Sequence, residues 1–130
     1  MPYRITYDNG ARGVTTTFYG VLTDDDLIKS CIDRTSSDDK ITDLLYIEDD
    51  LLEVTEFKAS TEGIKECALF ADRASELNKK LVHIAIASED IIYGMTRMWQ
   101  AYADDTGWNM NIVRTREDAE IWLKDNIQKT

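Results

Sequence analysis

Two short apolar runs limit what this chain can fold into. Residues 44–47 read LLYI and residues 81–87 read LVHIAIA. Apolar residues at successive positions are typical of strands in a sheet that is covered on both faces, whereas a strand with one wet face alternates apolar and polar residues. We therefore expect a sheet whose central strands lie between two layers of helices.

Helical patterns separate these runs from each other and follow them, because apolar residues recur there at spacings of three and four. The first three predicted helices span about residues 24–35, 60–78 and 89–105. Thr23 with Asp26, and Thr115 with Asp118, match the capping box that starts a helix. Ser88 is predicted to cap the third helix.

The chain opens with a predicted antiparallel hairpin. Residues 3–7 alternate with a period of two, residues 8–13 supply turn residues, and residues 14–19 are β-branched and aromatic. With a last strand at residues 111–113, the order becomes β-β-α-β-α-β-α-β-α. Right-handed crossovers then make this an α/β sandwich with a mixed, mostly parallel sheet. Residues 51–57 fit either a short extra strand or an apolar loop.

Composition favours one acidic domain, spanning residues 1–130. The chain has a single proline and no Gly/Ser-rich linker, and its 25 acidic and 15 basic residues give a net charge of -10. Nucleic acid and anionic membrane surfaces would repel such a protein, and no apolar run approaches the about 18 residues of a membrane span. A protein partner that docks on the acidic face should be basic.

The cysteines and the start of the chain indicate the compartment. Two cysteines and the lack of a cationic, apolar signal segment fit a reducing cytoplasm better than a secreted disulfide scaffold. Cys31 and Cys67 both fall on apolar helical stripes. We expect them to be small core residues of a cytoplasmic protein.

Four segments together resemble the SpoIIAA-like branch of the STAS superfamily. They are residues 18–23 (FYGVLT), 46–49 (YIED), 82–99 (VHIAIASEDIIYGMTRMW) and 116–123 (REDAEIWL), and the part around Tyr93 is the most specific. The resemblance covers nearly the whole chain. It implies the fold of anti-sigma-factor antagonists and, more distantly, a similarity to lipid-binding domains of the Sec14 (CRAL-TRIO) type.

The same resemblance implies a candidate phosphorylation site. Antagonists that work by partner switching carry a phosphorylatable serine at the start of the second helix, just after an aspartate. Here the preceding loop is longer, and only Ser60 and Thr61 lie near the predicted helix start. Helix amides and the helix dipole would favour a phosphate there, whereas the simpler interpretation is that one of these residues caps the helix.

No catalytic, cofactor-binding or metal-binding residue is predicted. His83 is the only histidine, which leaves no His pair for a metal, and its place in an apolar run predicts a hydrogen-bonded core or edge histidine.

Asp49, Asp50 and Asp90 are predicted near the carboxyl ends of strands, where ligands usually bind. They could hold Mg²⁺ or accept a phosphoryl group, as in response-regulator receivers. The opening hairpin and Arg114 do not fit a receiver, so solvated charges and helix caps are the preferred interpretation.

The third helix carries the candidate interaction or ligand surface. Tyr93, Arg97 and Trp99 cannot all face the sheet from one helix, so some of them must lie at a boundary. With Met98 they could form a homodimer contact or the wall of an apolar pocket.

We therefore expect a non-enzymatic regulatory or protein-interaction module that self-associates. The alternative is a carrier of a small apolar or lipid-like ligand, and an enzyme is the third possibility.

Overall fold

The computed structural model describes residues 2–8, 10 and 12–127. The elements, in chain order, are β1 (Tyr3–Asp8), β2 (Gly13–Leu22), α1 (Asp24–Arg34), α2 (Asp38–Asp43), β3 (Tyr46–Phe57), α3 (Thr61–Leu77), β4 (Val82–Ile86), α4 (Asp90–Tyr102), β5 (Asn109–Val113) and α5 (Arg116–Asn126). The predicted order of strands and helices is confirmed. Short α2, and a 3₁₀ turn at Asp104–Thr106, were not predicted.

The five strands form one sheet in the order β1-β2-β3-β4-β5. β1 runs antiparallel to β2, and each later neighbouring pair is parallel. This confirms the predicted α/β class with a mixed, mostly parallel sheet. Consecutive strands are neighbours throughout, so each helical connection joins two adjacent parallel strands.

Hydrogen bonds at the helix starts account for most of the predicted boundaries. Thr23 and Asp26 form the reciprocal capping box of α1, and the Thr115 hydroxyl accepts a hydrogen bond from the Asp118 amide at 3.1 Å. The prediction for α4 is wrong, because its N-cap is Glu89, one residue beyond Ser88, and the Glu89 side chain makes no capping hydrogen bond.

β3 is longer than the apolar run that predicted it. It continues from Tyr46 to Phe57, so residues 51–57 are the second half of a strand and not a loop. This half pairs with β2 alone, because β4 lies only along Tyr46–Asp50.

The acidic triplet Glu48, Asp49 and Asp50 therefore lies inside β3 and not at its end. All three residues are buried. The prediction that they form a solvated charge run is wrong, because arginines from α1 and α5 pair with them.

Helices cover the two faces of the sheet unequally. α1, α3 and α4 pack on the face that carries Val14 and Ile47, and the alanine stripe of α3 (Ala68, Ala71, Ala74) permits close contact. α5 packs on the opposite face over Ile84 and Ile86, both fully buried. Burying such a side chain stabilises the fold by about 1.5–3 kcal/mol, so the apolar runs are the centre of the core, as predicted.

The two cysteines join the helices that flank the core. Cys31 of α1 and Cys67 of α3 form a disulfide with a Cα–Cα distance of 6.1 Å, and both are buried. Their core position is confirmed, whereas the expectation of two separate thiols is wrong. Long-range pairing of two helices cannot be derived from the spacing of two cysteines.

Within the described ranges, the helices are all too short or too polar to cross a lipid bilayer.

Candidate functional site

A buried charge cluster lies at the centre of the face that α1, α3 and α4 cover. Asp49 of β3 accepts hydrogen bonds from Arg34 Nη1 and, at 2.8 Å, from His83 Nε2. Strand register explains the second contact, because Ile47 lies opposite His83 and Asp49 is two residues further along the same face. Arg34 reaches the cluster from the last turn of α1.

The electrostatics of the cluster keep Asp49 ionised. Burial alone would raise the pKa of Asp49, but the Arg34 guanidinium and the His83 hydrogen bond outweigh it and hold this pKa below its usual range. An ionised carboxylate only accepts hydrogen bonds, so His83 donates through Nε2. Trp99 packs on the His83 ring with 4.6 Å between ring centroids. His83 is therefore a core histidine that is hydrogen-bonded through Nε2, as predicted, whereas its buried Nδ1 has no hydrogen-bond partner among the described residues.

A small cavity borders this cluster between the sheet and the three helices. Its volume is about 40 Å³. Its polar side chains are Ser30, Arg34, Asp49 and Thr96. Since one water needs about 10–15 Å³ of such space and small-molecule sites occupy about 300–1,000 Å³, the cavity holds a few waters at most. It gives no support to the lipid-carrier alternative.

The candidate surface on α4 divides between core and solvent. Trp99 is 8% exposed and lines the cavity, whereas Arg97 is exposed. Met98 and Tyr93 are half-buried, and the Arg114 guanidinium carbon lies 4.3 Å from the centroid of the Tyr93 ring. The prediction that these side chains cannot share one face is confirmed. Trp99 is not part of a docking surface, because its ring packs on His83.

The N-terminus of α3 holds the two residues singled out for phosphorylation. Ser60 is the N-cap, and its hydroxyl accepts the Gly63 amide at 3.1 Å, which confirms the capping role. The Asp24 carboxylate of α1 accepts both the Ser60 amide and the Ser60 hydroxyl, each at 2.6 Å. Ser60 and Thr61 are both exposed. A carboxylate thus already occupies the positive end of α3, where anions are favoured.

Glycine at position 63 permits this arrangement. A Cβ atom at residue 63 would overlap the Asp24 carboxylate. Asp24 was not predicted from the sequence, because nothing local shows that the first turn of one helix approaches the first turn of another. Arg34 and Arg116 were not predicted for the same reason.

Comparison with known proteins agrees with the fold. No family model and no curated protein matches the chain. The anti-sigma factor antagonist SpoIIAA in its unphosphorylated form has a TM-score of 0.62 at 12% identity, over 96% of this chain and 99% of that chain. Bacillus SpoIIAA in its phosphorylated form has a TM-score of 0.57 at 14% identity, over 93% of this chain and 98% of that chain.

A third structure is an uncharacterized protein of the DUF3478 family from Shewanella loihica PV-4. Its SpoIIAA-like fold gives a TM-score of 0.59 at 15% identity, over 93% of this chain and 91% of that chain. At these identities the comparisons show the fold alone. They confirm the SpoIIAA-like fold that the sequence resemblance implied, and they do not show the similarity to Sec14-type domains.

Proposed function

We propose that this chain is a non-enzymatic regulatory module that binds a partner protein and is switched by phosphorylation of Ser60. The observation that carries the proposal is the exposed Ser60 hydroxyl at the start of α3. The same fold occurs in SpoIIAA, an anti-sigma factor antagonist solved in unphosphorylated and phosphorylated forms. Thr61, also exposed, is the second acceptor.

Asp24 supplies the mechanism of the switch. A phosphate on Ser60 adds a charge of about −1.5 to −2 and competes for the amides at the start of α3. The Asp24 carboxylate occupies that place, 2.6 Å from the Ser60 hydroxyl oxygen. Like charges at this distance repel, so phosphorylation expels Asp24 and moves the first turn of α1 away from α3. A partner that contacts both helices would then lose its surface.

The state of the reactive side chains supports a role without catalysis. His83 is fully buried beneath Trp99, out of reach of a substrate. Both cysteines of the chain form the disulfide, so neither is a thiol nucleophile.

Self-association belongs to the same proposal. Ile91 of α4 is 68% exposed, and it lies seven residues, about two helical turns, before the half-buried Met98. This exposed apolar side chain on the outer face of α4 supports a homodimer contact there. Sedimentation velocity tests it: Ile91→Lys should lower the average mass of a dimer, and an unchanged mass rules this contact out.

Partner binding tests the switch. A partner is first identified by cross-linking the tagged chain in cells that produce it, and the same material is digested to map phosphopeptides. We expect phosphate on Ser60, and weaker binding of the purified partner to Ser60→Asp than to Ser60→Ala. Thr42→Asp adds the same charge at an exposed position of α2 and should leave binding unchanged. Equal binding by Ser60→Asp and Thr42→Asp, with no phosphate at Ser60 or Thr61, overturns the proposal.

A further inference from the structure

The face of the sheet opposite α3 is covered by a helix only in part. α5 packs over β4 and β5, and among the described residues no helix lies over β1 and β2 on this side. Strand register arranges the outward side chains in two rows across three strands. The rows are Thr6, Thr15 and Glu48, followed by Arg4, Thr17 and Asp50. The open face is therefore polar, unlike the face beneath α3.

A cleft forms where this open face meets α5. Its volume is about 440 Å³, within the about 300–1,000 Å³ of sites that enclose a ligand group. Asp8, Thr15 and Glu48 line it from the sheet, and Arg116 and Glu120 line it from α5. Unlike the cavity beneath α4, this cleft has room for a large side chain.

Carboxylates outnumber cations around the cleft. Arg116 is shared between two carboxylates, because its Nη2 pairs with Asp50 and its Nη1 lies 3.7 Å from Glu48 Oε1. Within the described ranges, Asp8 and Glu120 have no cationic nitrogen within 4.0 Å.

The second cation on this face, Arg4, lies at one side of the open surface. Its guanidinium carbon is 6.0 Å from the centroid of the Tyr19 ring. The two arginines therefore leave an excess of two negative charges among six charged groups: Asp8, Glu48, Asp50, Glu120, Arg4 and Arg116.

Two carboxylates of the cleft, Glu48 and Asp8, are close enough for the charge of Asp8 to act on Glu48. Burial raises the pKa of Glu48, and Asp50 and Asp8 raise it further, while Arg116 and a hydrogen bond from Thr15 at 3.2 Å oppose the rise. The Tyr46 hydroxyl donates to Asp8 at 2.5 Å and fixes that carboxylate at the cleft mouth. An additional cation placed between Asp8 and Glu48 would be attracted by both.

We propose that this cleft binds an arginine or lysine side chain from an extended basic segment of a partner protein. A guanidinium group bonds two carboxylates through its planar fork of N–H donors. The outer edge of β1 has no neighbouring strand among the described residues, so the backbone of an extended segment can pair beside the cleft.

This inference extends the proposed function, on which it rests only in that the chain binds a protein. The cleft and Ser60 lie on opposite faces of the sheet, so the two proposals fail separately. A Ser60→Asp variant tests one face, and the variants below test the other.

A titration with hexa-arginine peptide tests the site. Amide shifts of the ¹⁵N-labelled chain locate the contact, and calorimetry measures affinity at low ionic strength and again at about 0.5 M salt, where surface charges are screened. Asp8→Asn/Glu120→Gln removes two charges from the cleft. Asp38→Asn/Asp39→Asn removes two exposed charges from α2 and is the matched control.

We expect shifts at Thr6, Thr15, Thr17 and Arg116, and affinity about tenfold lower for the cleft variant with at most about a twofold change for the control. Salt should weaken binding by the wild-type chain. Equal losses in the two variants, or shifts centred on α2, would show attraction to net charge alone and overturn the proposal. Spermine binding as tightly as the peptide would also overturn it, because a small amine would then be the ligand.

Discussion

His83 Nε2 lies 2.8 Å from Asp49 Oδ2 across two neighbouring parallel strands, and both side chains are buried. Arg34 pairs with the other carboxylate oxygen of Asp49. A buried ion pair adds little stability compared with apolar residues of the same volume, but losing one partner is costly. A slip of one residue would turn Asp49 to the α5 face, away from both partners, so the cluster specifies the register of β3.

Asp49→Asn should therefore destabilise the protein by about 3–5 kcal/mol, because it leaves the Arg34 guanidinium buried without a counter-charge. Urea unfolding followed by circular dichroism measures the change. Asp38→Asn, at an exposed position, is the control and should stay within about 0.5 kcal/mol of wild type. A similar small effect for Asp49→Asn would mean that Arg34 is solvated.

The lowered pKa of Asp49 predicts that its contribution to the free energy of unfolding depends on pH. Because the pKa of Asp49 is lowered in the folded protein, its contribution is present above the unfolded value of about 3.9 and is lost as the pH falls through the folded pKa. The difference in unfolding free energy between wild type and Asp49→Asn should shrink as the pH falls below about 4. A difference that is constant down to the acid transition contradicts the assignment.

Local patterns predicted the helices and central strands, because apolar periodicity and capping residues act within a few positions. They failed for the acidic triplet of β3, whose partners are distant. Asp49 pairs with Arg34, 15 positions away, and Asp50 pairs with Arg116, 66 positions away. No local rule distinguishes a carboxylate that will meet a buried arginine from one that will meet water. The hydrogen bonds from Ser60, the N-cap of α3, to Asp24 could not be predicted for the same reason.

Glu48 should show the opposite pH dependence from Asp49. Burial raises its pKa, so between the unfolded value of about 4.3 and the higher folded value the native state binds more protons than the unfolded state. The free energy of unfolding therefore falls as the pH rises through this window. Glu48→Gln removes the titration and keeps an acceptor for Thr15.

Urea unfolding of wild type and Glu48→Gln from about pH 4 to about pH 7 checks this prediction. The stability of the variant relative to wild type should rise with pH. Glu66→Gln, at an exposed position of α3, should show no such trend. Parallel curves for wild type and Glu48→Gln would mean that Arg116 fully compensates the Glu48 charge.

Substitutions on α4 should separate its core side from its exposed side. Trp99→Ala enlarges the cavity beneath α4 and should cost about 3–5 kcal/mol. Trp99→Phe should cost less, because the indole N–H has no hydrogen-bond partner among the described residues. Arg97→Ala should stay within about 0.5 kcal/mol. Equal losses for the two Trp99 variants would contradict this prediction, because the aromatic ring that phenylalanine keeps would then contribute nothing to stability.

Two glycines in helices should respond in opposite ways to alanine. Gly94 of α4 is exposed and a Cβ there meets nothing within 4 Å, so Gly94→Ala should raise the unfolding free energy by about 0.5–1 kcal/mol through helix propensity. Gly63→Ala places a Cβ against Asp24 and should lower it by about 1–3 kcal/mol, despite the same gain in propensity. Chemical denaturation compares the two directly.

A double-mutant cycle identifies the cause of the Gly63→Ala loss. Asp24→Ala removes the overlapping carboxylate, so Gly63→Ala should cost less in that background than in wild type. Both substitutions also release the Ser60 hydroxyl from its 2.6 Å hydrogen bond to Asp24. If the two losses are additive, Asp24 does not hold the start of α3, and a phosphate on Ser60 would have no carboxylate to displace.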